Sequence, residues 1–393
     1  MNPPFSWWVP VARAQDLRAA TPLAARAFGQ EFVLWRAAAT GSGAKSAPTA
    51  AAPAEPVDDA AEPLGAPSVF LDRCPHRGAR LSLGRIEHGQ LECAYHGWRF
   101  DPSGHCVTIP ALPAFTPPET HRACAWQAME AHGLVWVAEA AAPRTAPHAP
   151  DPLGPADGRP ALPPRRVLCG PFDVATSAPR VVENFLDTAH FGFVHEGFLG
   201  SRAQLAVPDY RVEHDSLGRP MVPLYRAWQP RASTAATIGG PGAWVDYSYH
   251  LLGPYAALLT KKAEGAAPAE AYALWCCPLD EESTRVWFTI CTDDRTRSDD
   301  ELRAFQATIF GQDAPVLESQ RPRRLPLHGG ELHCAADRLS VAYRRWLLAL
   351  GVGFGVTTVA SAHTSPSAAA GPASGLASSV TSGNTPGTPS ATV

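Results

Sequence analysis

The sequence predicts an α+β chain in two domains: an all-β domain of short strands, then a larger domain of strands and helices. Three observations predict it. At 393 residues the chain is too long for one compact core. Short β-prone runs between turn residues fill residues 5–137. Helical spacing of apolar residues appears only after residue 178.

Taken in order, residues 5–36 read as opening strands, with Glu31-Phe32-Val33-Leu34-Trp35-Arg36 the clearest β-prone run. Residues 37–67 dissolve into Ala, Pro, Gly and Ser and read as a flexible insertion within a first domain of residues 1–137. Strands resume at Ser68-Val69-Phe70-Leu71-Asp72 and continue to Gly133-Leu134-Val135-Trp136-Val137. Residues 138–164, rich in Pro and Ala, read as a linker. The second domain spans 165–350. Residues 179–200 start helical and turn irregular, and β-like segments follow at Trp244 to Leu252, Tyr272 to Cys277 and Thr284 to Thr292. Residues 299–311 read as a helix on Leu302, Phe305, Ile309 and Phe310, and 336–350 as another on Leu339, Tyr343, Trp346 and Leu347. Residues 351–393 form a tail, disordered from about 363 by composition.

Composition narrows the class. The formal net charge of -4 provides no basic field for nucleic acid or an anionic membrane. The nine cysteines (Cys74, Cys93, Cys106, Cys124, Cys169, Cys276, Cys277, Cys291, Cys334) are an odd set in a long chain, unlike a disulfide framework, and point to a reducing compartment. The N-terminal residues show no basic region followed by an apolar stretch, so no signal peptide is expected. The apolar run from Leu347 to Ala362 is too short and too glycine-rich for a membrane span. The expectation is a soluble, cytoplasmic protein.

The strongest motif is Cys74-Pro75-His76, sixteen residues, then Cys93-Ala94-Tyr95-His96. A Rieske cluster needs two thiolates on one iron and two neutral imidazoles on the other, and two loops that each give one Cys and one His meet that need. The competing reading is a zinc site, but zinc fingers pair like with like, C-x2-4-C with H-x3-5-H. Cys106 and Cys124 lie outside the loops and read as packed small side chains.

A second motif lies in residues 183–195, Glu183-Asn184-Phe185-Leu186-Asp187-Thr188-Ala189-His190-Phe191-Gly192-Phe193-Val194-His195. Two His and a carboxylate on one face of iron, with open positions opposite, form the non-haem Fe(II) oxygenase site. His190 and His195 are five apart, which is not a same-face helical spacing, so Gly192 is expected to let the helix break or bulge. Asp187, three before His190, is expected on the same helical face.

With Arg77-Gly78 and Gly97-Trp98 after the ligand pairs, the sequence resembles the CPHRGA and YHGW loops of Rieske non-haem iron ring-hydroxylating oxygenases, in their alpha (oxygenase) subunits. Gln312-Asp313-Ala314-Pro315-Val316-Leu317-Glu318-Ser319-Gln320 resembles the segment that carries the third iron ligand in the vanillate O-demethylase and pheophorbide a oxygenase branch. That resemblance implies Asp313 as the ligand, with Glu318 its rival. It implies Asp187 as the bridge that carries electrons between a neighbour's cluster and the iron, and Asn184 as a polar residue beside the metal. It implies a Rieske β-sandwich followed by a helix-grip (START-like) antiparallel sheet domain with a long helix. Its cofactors are a [2Fe–2S] Rieske cluster and mononuclear Fe(II), with O2 as co-substrate. It implies a homotrimer served by a separate ferredoxin or flavin reductase. The insertion at 37–67 is placed as in green-algal proteins, so the plastid stroma is an alternative location.

The reaction expected is O2-dependent hydroxylation or oxidative demethylation of a small aromatic or heteroaromatic substrate. NAD(P)H acts only through the reductase, since no G-x-G-x-x-G stretch opens a helix here. The alternatives are a plastid pheophorbide/chlorophyllide-type oxygenase, a Rieske electron carrier without oxygenase activity, and a Rieske-like sensor. Phe193, Phe198, Leu199, Trp244, Tyr249, Trp275 and Trp287 are candidate cavity walls.

Overall fold

The computed structural model describes residues 7–18, 21–38, 64–138, 153, 161–230, 242–265 and 270–358. The first part holds β1 (Val9–Arg13), β2 (Leu23–Ala27), β3 (Gln30–Ala38), β4 (Leu64–Leu71), β5 (Arg85–Glu87), β6 (Gln90–Glu92), β7 (Arg99–Phe100), β8 (Cys106–Thr108), β9 (Ala125–Ala131) and β10 (Leu134–Ala138). Six strands form one sheet in the order β1-β10-β9-β4-β3-β2, and β5 to β8 form a second in chain order. β3 and β4 pair as far as Ala38 and Leu64, so residues 37–38 and 64–67 of the expected insertion are strand. The remainder of it, 39–63, lies outside the described residues.

β3 shows how the sequence builds this part. Successive side chains of a strand point to opposite faces. Val33 and Trp35 enter a small core with Phe70, Leu91, Phe100 and the two motif cysteines. Phe32 and Leu34 enter the main core, which continues into the second part. The two parts therefore meet through apolar packing: Trp136 on β10 meets the Trp275 ring edge-on at 5.3 Å. The β2–β3 turn also donates Phe28 and Gly29 amides to the carbonyls of Pro278 and Leu279, at 2.6 and 2.8 Å. Of the expected linker, residues 139–152 and 154–160 lie outside the described residues.

The second part holds β11 (Arg165–Val174), α1 (Ala178–Leu186), α2 (Phe191–Val194), β12 (Glu213–His214), β13 (Pro220–Gln229), β14 (Ala243–Gly253), β15 (Ala256–Ala263), β16 (Glu270–Asp280) and β17 (Ser283–Thr292). Then come α3 (Asp299–Ser319), β18 (Leu325–Pro326), α4 (Arg338–Ala349) and β19 (Val356–Thr357). Seven strands make one antiparallel sheet, β11-β17-β16-β15-β14-β13-β12, and α3 packs along it. The α+β expectation of a β-sandwich followed by an antiparallel sheet with a long helix describes this architecture.

α3 runs eight residues past the end expected at 311. Ser298 and Glu301 form a capping box, and Asp299, Asp300 and Glu301 meet the positive end of the helix dipole. The helix continues through Pro315 although a proline removes one backbone bond, because Leu302, Gln306, Ile309, Phe310, Asp313 and Leu317 bury one continuous face. Of the tail expected at 351–393, residues 351–358 are described and pack against the second part. Val352 and Val356 are buried, and β19 pairs in parallel with β18. Residues 359–393 lie outside the described residues. Among the described residues no helix is long and apolar enough to cross a membrane.

Candidate metal centres and substrate cavity

α1 delivers the first side chains of the second motif and then stops. Pro179 opens it, where a missing N–H costs nothing, and Asp187 ends it in extended conformation. The helix expected to carry Asp187 and His190 on one face is therefore broken between them. A tight turn joins them instead: the Asp187 carboxylate accepts the Ala189 amide at 2.8 Å and lies 3.2 Å from His190 Nδ1. His190 and His195 flank the single turn of α2, which swings both rings inward to a centroid separation of 5.0 Å. Gly192 does not break this turn. It gives room for the 200–205 loop, since a Cβ there would stand 2.5 Å from Leu205 Cδ2 and 3.1 Å from the Ser201 carbonyl.

α3 brings Asp313 to the same place. Its Oδ1 lies 3.6 Å from His190 Nε2 and 3.2 Å from His195 Nε2. Among the described residues these three are the one group of His, Cys, Asp or Glu whose donor atoms all fall within 4.8 Å. Bonds of about 2.1 Å to one ion at right angles set neighbouring donors about 3 Å apart, near the spacing seen. The hydrogen-bonding partners of the two rings agree. His190 Nδ1 faces Asp187 and His195 Nδ1 faces Gln312 Oε1 at 2.8 Å, so each ring proton has an acceptor on the far side. Both Nε2 lone pairs then point at a carboxylate oxygen, an arrangement of acceptors that a cation satisfies. Asn184 Nδ2 donates to Asp313 Oδ1 at 3.3 Å. Glu318, the rival ligand, accepts the Ala175 amide at 3.0 Å and stays out of the group. Burial alone would raise the Asp187 carboxyl, but His190 and the Ala189 and Thr188 amides hold it below the usual carboxylate range.

The first motif forms two matching loops. Cys74 N–H donates to Ala79 and Gly78 N–H returns to Cys74; Cys93 N–H donates to Trp98 and Gly97 N–H returns to Cys93. Gly78 and Gly97 take φ of 69° and 68°, the left-handed turn that favours glycine. The two thiols are buried against each other, and burial with the Cys93 neighbour pushes the Cys74 thiol up to about 12. The His76 and His96 rings meet at 4.6 Å, and Trp98 stacks on His76 at 4.5 Å. Desolvation, then His96 and Arg77, lowers His76 and keeps its imidazole neutral. Each loop thus offers one Cys and one His, the mixed donor set of a two-iron Rieske cluster.

Residues 7–121 match the family model of the Rieske [2Fe–2S] domain. Residues 174–352 match that of the vanillate O-demethylase oxygenase C-terminal domain. Methylxanthine N1-demethylase NdmA of Pseudomonas putida is 30% identical over 285 residues, covering 70% of this chain and 75% of that protein. The chain is a Rieske non-haem iron oxygenase. The probable methylxanthine N7-demethylase NdmC of Pseudomonas sp. strain TJI-51 is 38% identical over 230 residues, 58% of this oxygenase and 78% of the relative. The structure of Pseudomonas putida NdmA with caffeine superposes with a TM-score of 0.66 at 25% identity, covering 87% of this oxygenase and 89% of that chain. The enzyme is thus an oxidoreductase whose cofactors are a [2Fe–2S] cluster and a mononuclear iron, and the electron-carrier and sensor readings fall away.

The oxygenase holds a cavity of about 80 Å³ between α1, α3 and the inner face of the large sheet, with His190, His195 and Asp313 in its wall. Phe185, Tyr247, Tyr272, Phe288 and Phe310 are among its aromatic lining residues. Of the walls expected from sequence, Leu199 is one. Trp275 and Trp287 are not, because strand parity turns them to the opposite face, where Trp275 stacks on His132. Tyr249 is core, and Phe193 and Trp244 are exposed at 52% and 41%. Phe198 does not line the cavity either. Sequence reasoning missed Gln312, for which adjacency to Asp313 was the available signal, and Lys261 on β15, for which none was.

Proposed function

We propose that this oxygenase oxidatively demethylates a small methylated heteroaromatic ring held in the α1–α3 cavity. The observation that carries this is the convergence of His190, His195 and Asp313 on one wall of a cavity whose other walls are mainly aromatic and aliphatic. Cys74, His76, Cys93 and His96 would hold the cluster, and His190, His195 and Asp313 the iron. When bound, the cluster supplies electrons and the iron supplies dioxygen activation. The protein residues do the rest. Asp187 and Gln312 fix the tautomers of the two His, so each Nε2 stays a lone-pair donor. Asn184 holds the Asp313 carboxylate. Phe185, Phe288 and Phe310 exclude water and confine the ring so that its methyl group meets the metal wall.

In balance, the methyl C–H, O2, two electrons and two protons give a hydroxymethyl group and water. The hydroxymethyl group then leaves as formaldehyde and returns N–H or O–H to the ring. The demethylases NdmA and NdmC, matched over 75% and 78% of their own length, support this reading over ring hydroxylation and over a plastid pheophorbide or chlorophyllide reaction.

The electrons come from a separate NAD(P)H-dependent reductase, and the working unit is a homotrimer in which the partly exposed Asp187 faces a neighbour's cluster histidine. The test is coupled turnover of purified oxygenase with a Rieske-oxygenase reductase, NADH and caffeine or a methyl aryl ether. Formaldehyde and consumed O2 in about equal amounts support demethylation. A product that keeps its methyl group and gains ring oxygen overturns it.

A further inference from the structure

One cation stands in the cavity wall, and neither metal site uses it. Lys261 on β15 is 5% exposed and lines the cavity beside Leu259, Tyr247 and Tyr272. A lysine at that depth is costly to bury without an anion. Glu270 is that anion: the two are register partners on β15 and β16, with Nζ 3.6 Å from the carboxylate. The Tyr272 hydroxyl donates to the same carboxylate at 3.1 Å, and the Tyr272 ring centre lies 5.5 Å from Nζ. Tyr247 is the register partner on the other flank. Among the described residues no other Lys or Arg lines this cavity.

Two ligand chemistries would seek this ammonium: an aromatic carboxylate, or the carbonyl oxygen of a neutral ring. The Glu270 pair decides between them. Lys261 and Glu270 cancel in formal charge, so an entering carboxylate would be buried near Glu270 without a cation of its own. A ring carbonyl accepts an ammonium N–H and brings no charge. We propose that Lys261, held by Glu270, is the specificity-determining residue of the cavity and donates to a ring carbonyl oxygen of a neutral heteroaromatic substrate. The inference rests on the demethylase reading above and deepens it. The competing account is that the pair merely closes the end of the β15–β16 hairpin.

Calorimetric binding to the oxidised holoenzyme without reductase separates them, using caffeine as the neutral ring-carbonyl probe and vanillate as the carboxylate probe. Wild type is expected to bind caffeine in preference to vanillate. Losing one charge-assisted hydrogen bond in Lys261→Met weakens caffeine about ten- to hundredfold. Lys261→Gln, which keeps an N–H donor, retains most of that binding; should the Met variant misfold, the vanillate affinity of Glu270→Gln serves as the test, and no gain there overturns the proposal. Glu270→Gln leaves the ammonium uncompensated and gains vanillate affinity. Unchanged caffeine binding in folded Lys261→Met overturns the proposal in favour of the hairpin account. Wild type that prefers vanillate, or binds neither probe, also overturns it. Formaldehyde release from a methyl aryl ether in that last case would show that the demethylase reading survives alone.

Discussion

Replacing Gln312 by leucine removes the acceptor for His195 Nδ1–H and leaves the metal ligands untouched. His195 is 1% exposed, so water does not readily take the place of Gln312 Oε1, which sits 2.8 Å from the ring nitrogen. A buried donor left without a partner costs about 1–3 kcal/mol. At about 1.4 kcal/mol per factor of ten, that predicts Fe(II) binding weaker by roughly ten- to hundredfold, the range typical of partners behind a metal ligand. Gln312→Glu keeps an acceptor and should hold iron close to the wild-type level. The assay is Fe(II) titration of chelator-treated protein against a competing chelator, with the visible spectrum of the cluster as a control for the untouched first site. Equal Fe(II) affinity in Gln312→Leu and wild type, at equal thermal stability, would refute the claim that Gln312 orients His195.

Gly97→Ala places a Cβ 3.0 Å from Pro110 Cγ at a φ of 68°, so it should cost about 1–2 kcal/mol in the second ligand loop and lower the cluster content seen in the visible spectrum. Phe70→Ala hollows the small core behind the cluster and should destabilise by about 3–5 kcal/mol, read as a lower Tm. Burial alone would raise the Glu331 carboxyl, but Arg180 and Arg344 hold it below the usual range. Its folded value is thus below its unfolded one. Its stabilisation is present above the ordinary Glu value of about 4.3 and is lost as pH falls through the folded value. The stability gap between wild type and Glu331→Gln, measured by denaturant titration, should therefore be wide near neutrality and close in acid.

The residues proposed as metal ligands could be picked out because their motifs are local. Cys74 with His76, Cys93 with His96, and His190 with His195 each lie within six residues, where backbone geometry alone keeps them near one another. Asp313 came from resemblance, since nothing in its own neighbourhood says that α3 crosses α1 there. The cavity walls were not legible. Trp275 and Trp287 differ from the true lining residues Leu274 and Phe288 by one position each, and one position in a strand reverses the face. Lys261 shows the same limit: only the register with Glu270 and Tyr247 reveals a buried lysine. The role of Gly192 was misread because the 200–205 loop that crowds it is set by tertiary packing.

Iron and acid-labile sulfide per chain, measured on anaerobically purified wild type and His190→Ala, test the central claim most directly. The account predicts about three irons and two sulfides in wild type and about two of each in the variant, since only the mononuclear site loses a ligand. About two irons in both proteins after added Fe(II), or a loss of sulfide in the variant, would contradict it.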